Sequence, residues 1–560
     1  MLPMPSLVIG VKHEIYLRVH MTSITNKQID QRDLVYLRPN VKLELLTGRW
    51  YTWPHLLSPI QYALNLAFRQ IPMIEAYLAD PQSHANIMND SDLKSAPILH
   101  VDTENADYLT SLLTRLQQDC SPAIRFANDI SNLDRAIVGQ RTAGSLEHIY
   151  ATLPDSLRGL VEVTRDHCNQ PALRIYEELM FGDCVDSAPQ QEISLTTLPD
   201  KERPFFLNTP RLLDTARFDI RIPFRDSRYD MLITSRRHPV SFECLCNTLN
   251  INHISRNHFR EFFTHKPPIR RAEPPCNSSF RLRYFGHACV LLETPDISIL
   301  VDPMTTWDPH NEDGHLKFDD FPDRIDYVFI THNHHDHFVP ELLWQLRDRI
   351  GTVLVPINNL GGLADPSMRL ALNSLGIVNV EVMSPMQKVV FKGGELMSLP
   401  FLGEHAEMSI YAKHALHVNL LGHSLLFLAD SRCVDRIVYR RIAKRIGSIN
   451  TVFLGMECDG APLTWLYGPY LTSVVTRSED RSRRLSGSNA TQASALIEEL
   501  NPARVYVYAM AMEPWLSYLA GLSYKPGSPQ LVESDKLIEW CAGRGIQARR
   551  LNGCEELIVN

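Results

Sequence analysis

Residues 327–346 read YVFITHNHHDHFVPELLWQL. An apolar strand at 327–330 runs directly into His332, Asn333, His334, His335, Asp336 and His337, and a helix is expected to begin near Pro340. The H-x-H-x-D-H string therefore sits on the tight turn between a strand and a helix. Alternate residues of an extended chain point to one side. His332 and His334 can then serve one metal ion, while the turn redirects Asp336 and His337 to a second. The alternative is a surface histidine cluster. It is disfavoured because His and Asp crowded at one strand end repel when protonated, and because the elements on both sides fit a metal turn.

Outward from this turn, short apolar runs at 288–293, 297–301, 327–331, 352–356, 388–391, 416–421, 424–428, 451–454 and 504–509 are expected strands. Gly422 and His423 lie between two of them and read as a hairpin turn. Strands with helices between them and a metal motif at a strand end predict an α/β sandwich.

A chain of 560 residues is too long for one hydrophobic core. The stretch KPPIRRAEPPCNSS, 266–279, carries four prolines in a polar run and reads as a linker. The expected organisation is an N-terminal extension at 1–34 without assigned structure, a mixed α/β accessory domain at 35–265, the linker, and a catalytic domain at 280–560. Helical periodicity in the accessory half falls at 60–78, 106–119 and 211–216. That half carries no catalytic motif, and Cys244 with Cys246 offers too few ligands for a closed zinc site, so both read as core thiols.

With 44% hydrophobic and 21% charged residues, the chain is neither disordered nor fibrous. A net charge of -8 argues against a general nucleic-acid binder. Eleven cysteines, an odd number without paired spacing, fit a reducing cytoplasm. The opening MLPMPSLVIGV is broken by Lys12 and His13 and lacks a basic leader, so neither export nor membrane anchoring is expected; Met21 opens a second, more polar start.

GHACVLLE (286–293), ILVDP (299–303) and FLAD (427–430), together with the H-x-H-x-D-H string, resemble the metallo-β-lactamase superfamily. The likeness covers 280 to about 520 and implies an αββα sandwich in which Asp430 bridges two metals. Hydrolases of that superfamily take a last imidazole well after the bridging Asp, but no histidine follows His423 here. The second metal must therefore be poorer in nitrogen. For the first metal, GEHAE (403–407) offers Glu404 and His405, adjacent and pointing in different directions; the residues alone leave both open.

Glu404 stands 404 − 332 = 72 residues after His332, and Asp430 stands 430 − 332 = 98 after it. With LRPNVKLELLTGRWYTWPHLLSPIQYALNLA at 37–67, this resembles the di-iron β-hydroxylases of nonribosomal peptide biosynthesis, the family of the chloramphenicol-pathway amino acid hydroxylase, over nearly the whole chain. The resemblance implies an O2-dependent monooxygenase that hydroxylates the β-carbon of an aminoacyl thioester held on a peptidyl carrier domain. It implies His332, His334 and Glu404 on one iron, and Asp336, His337 and bridging Asp430 on the other. It further implies a homodimer, with the accessory domain a candidate for dimerisation. No flavin or nicotinamide fingerprint is present, so a separate reductase or ferredoxin is expected to supply electrons. Three carboxylates with three imidazoles make a harder, more anionic shell than a His-rich hydrolase site, which suits iron and O2. The competing readings are a binuclear zinc thioester or lactone hydrolase and a non-catalytic scaffold.

Other candidates follow from position. Glu457, in FLGMECDGAPLTWLYGP, ends an apolar strand on the expected site edge and is a candidate catalytic residue; Trp465 and Tyr467, with Tyr470 close by, are candidate walls of the substrate pocket. Arg432, Arg436, Arg440 and Lys444 recur at i+4 on one helix face beside Asp430. Arg436 and Arg440 are the expected carrier-docking pair, with the Gly/Ser-containing loop at 477–489 as the competing basic element. His287, His414, His417 and His423 read as structural.

Overall fold

The structure, a computed structural model, describes residues 31–88, 98–137, 144–269, 279–308, 315–521 and 524–559. Residues 1–30 of the expected extension and 270–278 of the expected linker lie outside them. The described residues form two compact units, one within 31–38 and 228–268, the other within 39–227 and 269–559. One boundary, at 268/269, falls inside the Pro-rich stretch; the others, at 38/39 and 227/228, do not. In the smaller unit Leu34–Leu37 is flanked by Val240–Ser241 and Phe263–Thr264, and Phe263 packs edge to face against both Phe242 and Phe259. Cys246 is buried in its helix Phe242–Thr248.

The larger unit is built on two seven-stranded sheets. The first runs Val380–Met383, Ile350–Pro356, Ile325–Phe329, Ser298–Val301, Cys289–Glu293, Phe280–Gly286, Glu555–Val559. The second runs Lys388–Phe391, Gly394–Leu399, Ala415–Leu420, His423–Phe427, Thr451–Gly455, Arg504–Tyr508, Gln547–Arg550. Each joins an antiparallel half to a half paired in parallel, as at Val301↔Phe329 and Leu426↔Val452. The inner faces meet in a core of aliphatic and aromatic side chains such as Val290, Phe329, Leu396, Phe427 and Phe453. Behind the second sheet, Tyr439 and Ile442 of helix Arg436–Ile446 and Leu496 of helix Ala490–Leu500 close a second apolar layer. The α/β sandwich is therefore present. The hairpin falls at Leu421–Gly422, both at positive φ (51° and 85°), because Leu420 pairs directly with His423 and a two-residue turn of this hand needs both residues left-handed.

The segment 39–227 contributes a four-stranded sheet in the order Trp50–Tyr51, Lys42–Thr47, Gln191–Thr196, Arg217–Ile220. Its Glu44 is fully buried and accepts from Arg203 (2.9 Å), Arg211 (3.2 Å) and Arg217 (2.6 Å), while Arg203 also reaches Glu341, 2.6 Å away on helix Pro340–Leu346. The helix expected at 211–216 is absent: the Arg211 backbone N–H goes to Arg49 and its guanidinium to Glu44, so local periodicity yields to this buried network. Helix Ala106–Asp119 forms as expected, and the periodicity at 60–78 becomes Pro59–Asn65 and Ile71–Ala79 joined by a π-helical turn at Leu66–Gln70. Among the described residues no helix is long and apolar enough to cross a membrane.

Candidate metal centre

The strand Ile325–Phe329 stops just before the histidine string, and its neighbour Ser298–Val301 stops at the same level, which brings Asp302 beside Thr331. The Asp302 carboxylate accepts from the Thr331 backbone N–H (2.8 Å) and hydroxyl (2.7 Å) and lies 2.7 Å from His337 Nδ1. This network assigns the His337 proton to Nδ1 and leaves its Nε2 lone pair facing Asp430 Oδ2, 2.9 Å away. His332 Nδ1 is 2.9 Å from the Thr331 hydroxyl, which orients its Nε2 toward Glu404 and Asp430, each 3.7 Å away. His334 Nδ1 is 2.5 Å from Glu404 Oε1, and its Nε2 is 2.7 Å from the Tyr467 hydroxyl.

Potential ligand atoms gather within 4.8 Å of one another in three sets: His332, His334 and Glu404; His332, His337 and Asp430; His287, Asp336 and His337. The first two contain five of the six expected ligands and the third adds Asp336. His287 enters differently. Its Nδ1 accepts from the Ala511 backbone N–H (3.2 Å), so its proton sits on Nε2, 3.2 Å from Asp336 Oδ2; it orients that carboxylate and has no free lone pair for a metal. His405 belongs to none of the sets, although its Nδ1 is 2.9 Å from Glu404 Oε2.

The donor set fits a pair of cations on its own evidence. Buried His332 Nε2 and Asp430 Oδ1 have no hydrogen-bond partner among the described residues, and His337 Nε2 and Glu404 Oε2 converge with them on one space. Buried groups left so cost free energy unless a ligand satisfies them. Burial lowers His332 well below the usual imidazole range, reinforced by His337, whereas for His337 burial is outweighed by Asp430, Asp302 and Asp336, which push it up.

Glu404 reaches the site from a loop in which Gly403, Glu404, Ala406 and Glu407 all have positive φ (83°, 67°, 49° and 61°). Gly403 cannot be exchanged, since a Cβ there would lie 2.3 Å from Arg432 Cβ. Lys413 Nζ donates to the Gly403 carbonyl (3.1 Å) and holds the loop closed.

A cavity of about 260 Å3 opens against these carboxylates, lined also by His335, Glu457, Asp459, Trp465, Leu466 and Arg484. Burial pushes the Glu457 carboxyl well up, and Asp336, Asp430 and Glu404 add to the shift. Trp465 stands on the cavity wall. Tyr467 does not line the cavity: only 1% exposed, it packs behind His334 through its hydroxyl. Arg436 and Arg440, the expected docking pair, are exposed but both bond Glu499, at 2.6 and 2.8 Å; Arg441, Lys444 and Arg445 are exposed on the same helix.

Four residues escaped the sequence reading. Asp302 had a signal, an acidic residue ending the strand beside the metal turn, where parallel sheets place ligand groups. Phe206, stacked on His335 at 4.3 Å, and His55, 2.7 Å from the Tyr470 hydroxyl, come from a half with no catalytic motif. Arg69 reaches the carbonyl oxygens of Trp465 (2.8 Å) and Leu466 (3.3 Å) and so fixes the cavity wall from that same half.

Residues 36–267 match the family described as diiron non-heme beta-hydroxylase N-terminal domain, and residues 281–411 match the beta-lactamase superfamily domain. The chain is 31% identical over 522 residues to the Streptomyces venezuelae 3-hydroxylase of 4-amino-L-phenylalanyl on the CmlP peptidyl carrier protein, covering 92% of this chain and 98% of that one. The crystal structure of CmlA, a diiron beta-hydroxylase from Streptomyces venezuelae, aligns with a TM-score of 0.88 at 30% identity, over 94% of this chain and 99% of that chain. A mutant of the CmlA beta-hydroxylase aligns with a TM-score of 0.85 at 30% identity, over 93% and 99%.

Proposed function

This chain belongs to the diiron non-heme beta-hydroxylases, and from that premise we propose that it hydroxylates the β-carbon of an aminoacyl group carried as a thioester on a peptidyl carrier domain. It is an enzyme with two iron ions as cofactor and O2 as co-substrate. The observation that carries the proposal is the convergence of three imidazoles and three carboxylates on one buried space, with no later histidine to make the set hydrolase-like. The proposed assignment is His332, His334 and Glu404 on one iron, and Asp336, His337 and bridging Asp430 on the other.

The irons supply O2 reduction and the oxidising power to replace a C–H hydrogen by hydroxyl. In balance, R–H, O2, two electrons and two protons give R–OH and water, with the electrons from a separate reductase or ferredoxin. The chain's own residues hold the geometry. Asp302 fixes the His337 tautomer, His287 orients Asp336 and Tyr467 orients His334, each leaving a ligand atom turned inward. Glu457 faces the cavity beside Asp430 and Glu404 and is proposed to deliver and accept protons at its carboxyl oxygens. Trp465, Leu466 and His335, the last held flat on Phe206, shape an apolar slot for the side chain.

Division of the chain at 266–279 into accessory and catalytic domains belongs to the proposal, as does a homodimer. Carrier docking is proposed on helix Arg436–Ile446, where Arg441, Lys444 and Arg445 present charge to an acidic partner and Arg436 and Arg440 stand at the edge, held by Glu499. The test is turnover of carrier-loaded aminoacyl thioesters, aromatic and branched aliphatic, by reduced protein. A mass increase of one oxygen on the aminoacyl group supports the reading, and no oxygen incorporation with any member removes it.

A further inference from the structure

The cavity is walled on one side by a two-segment ribbon. Gly487 N–H donates to the Glu457 carbonyl (3.0 Å), Leu485 N–H to that of Ala461 (2.8 Å) and Leu463 N–H to that of Arg483 (2.9 Å). The segments pass so closely at Gly460 that a Cβ there would stand 1.4 Å from the Leu485 carbonyl oxygen, so glycine is required and the ribbon is rigidly spaced. Glu457 lies on this ribbon, and two residues further on the cavity is lined by Asp459, whose Oδ1 is 3.1 Å from Arg484 Nη2 on the opposite segment.

Two features make this pair unlike an ordinary surface ion pair. Arg484 is the only Lys or Arg among the described residues lining the cavity, and its Nε is buried with no hydrogen-bond partner. A buried N–H without an acceptor is costly and calls for one from a ligand. Asp459 is the cavity carboxylate left over: Asp336, Glu404 and Asp430 belong to the metal centre and Glu457 sits among them, whereas the Asp459 side chain is 51% exposed. One carboxylate and one guanidinium, side by side at the water-exposed part of a cavity whose other end is the metal centre, offer an acceptor and a donor at adjacent points.

We propose that Asp459 and Arg484 form a binding subsite for the main-chain end of the aminoacyl thioester, Asp459 taking the α-ammonium and the Arg484 Nε–H donating to the thioester carbonyl oxygen. The inference rests on the functional reading above. An aminoacyl thioester carries one cationic and one acceptor group on either side of the α-carbon, which is the complement of this pair. Holding both leaves the β-carbon as the part directed at the metal centre. Because the pair is part-exposed, it contributes little to folding and can be altered without loss of the fold.

The test is equilibrium binding to the full-length diferric protein without reductant, so that nothing turns over. The probes are phenylalanyl and valyl pantetheine amides, in which nitrogen replaces the thioester sulfur, and their des-amino counterparts. The wild type is expected to prefer an aminoacyl probe over its des-amino form about tenfold, the size of one charge-assisted hydrogen bond. Asp459→Asn is expected to erase that preference while binding the des-amino probe as before, and Arg484→Gln to weaken both by a similar factor. The inference is overturned if Asp459→Asn keeps the preference or weakens both probes equally. If the wild type binds no probe and hydroxylates no carrier-loaded substrate, the functional reading falls and takes the subsite with it. Turnover with the preference untouched by Asp459→Asn removes the subsite alone.

Discussion

Nδ1 of His337 lies 2.7 Å from Oδ2 of Asp302, a residue that touches no metal position yet decides which imidazole nitrogen is free to bind one. Asp302→Ala leaves that proton without its acceptor and the Thr331 hydroxyl without its partner. Metal affinity or activity is expected to fall about 10–100-fold, the usual cost of losing such a support. Iron content after dialysis against a graded chelator measures it, and unchanged retention would remove the role assigned to Asp302.

Glu404→Ala should lose iron and hydroxylation together, because a carboxylate drawn into the donor set is deleted. His405→Ala should keep both irons and measurable activity, since His405 lies in none of the three ligand sets. Elemental analysis of the two variants side by side decides between them. An empty site in His405→Ala with a loaded, active Glu404→Ala would reverse the assignment.

How much of this was legible beforehand depended on distance along the chain. The metal string could be read because its ligands are contiguous and obey the strand's alternation. Most supports could not: Asp302 carried only the signal of an acidic strand end, Tyr467 was placed on the pocket wall and not behind His334, and Phe206 and His55 reach the site only through tertiary packing. The same holds for the strands. Phe280–Gly286 was hidden by Arg281 and Arg283, which are buried nonetheless because Glu293 on the neighbouring strand pairs with both (3.1 and 2.8 Å). A local pattern counts those arginines as surface residues; the pairing that makes them core lies ten and twelve positions away. The helix expected at 211–216 failed for the converse reason, its periodicity being local and its partner Glu44 remote.

Stability should carry a pH signature from Glu177. Burial pushes its carboxyl up to about 7 from an unfolded value of 4.5, with the Ser367 backbone N–H opposing the shift. Below 4.5 both folded and unfolded states are protonated and the group costs nothing. As pH rises from 4.5 toward 7 the unfolded state ionises first, and stability falls by about 1.4 kcal/mol per unit, about 3 kcal/mol in all, before levelling off. Glu177→Gln removes this titration. Denaturant unfolding of both proteins across that window should show the wild type losing stability relative to the variant; parallel curves would contradict the assignment.

Reversing Arg441 and Arg445 together to Glu should raise KM for the carrier-bound substrate several-fold at low salt and leave kcat unchanged. Exposed charges act on encounter, and their influence is screened over about 8 Å at physiological ionic strength. The difference should therefore shrink as salt is added. A KM that does not respond to either change would move docking to the competing segment around Arg481.

The central claim is that this site uses O2 to place oxygen on a substrate carbon, and a single turnover under isotopically labelled dioxygen tests it most directly. Protein holding two irons per chain is reduced chemically, mixed with an aminoacyl-loaded carrier domain and exposed to the labelled gas. The expected product is a β-hydroxylated aminoacyl group still attached to its carrier and bearing one labelled oxygen atom. Release of free amino acid without label, supported equally by a zinc-loaded protein in the absence of O2, would contradict the account.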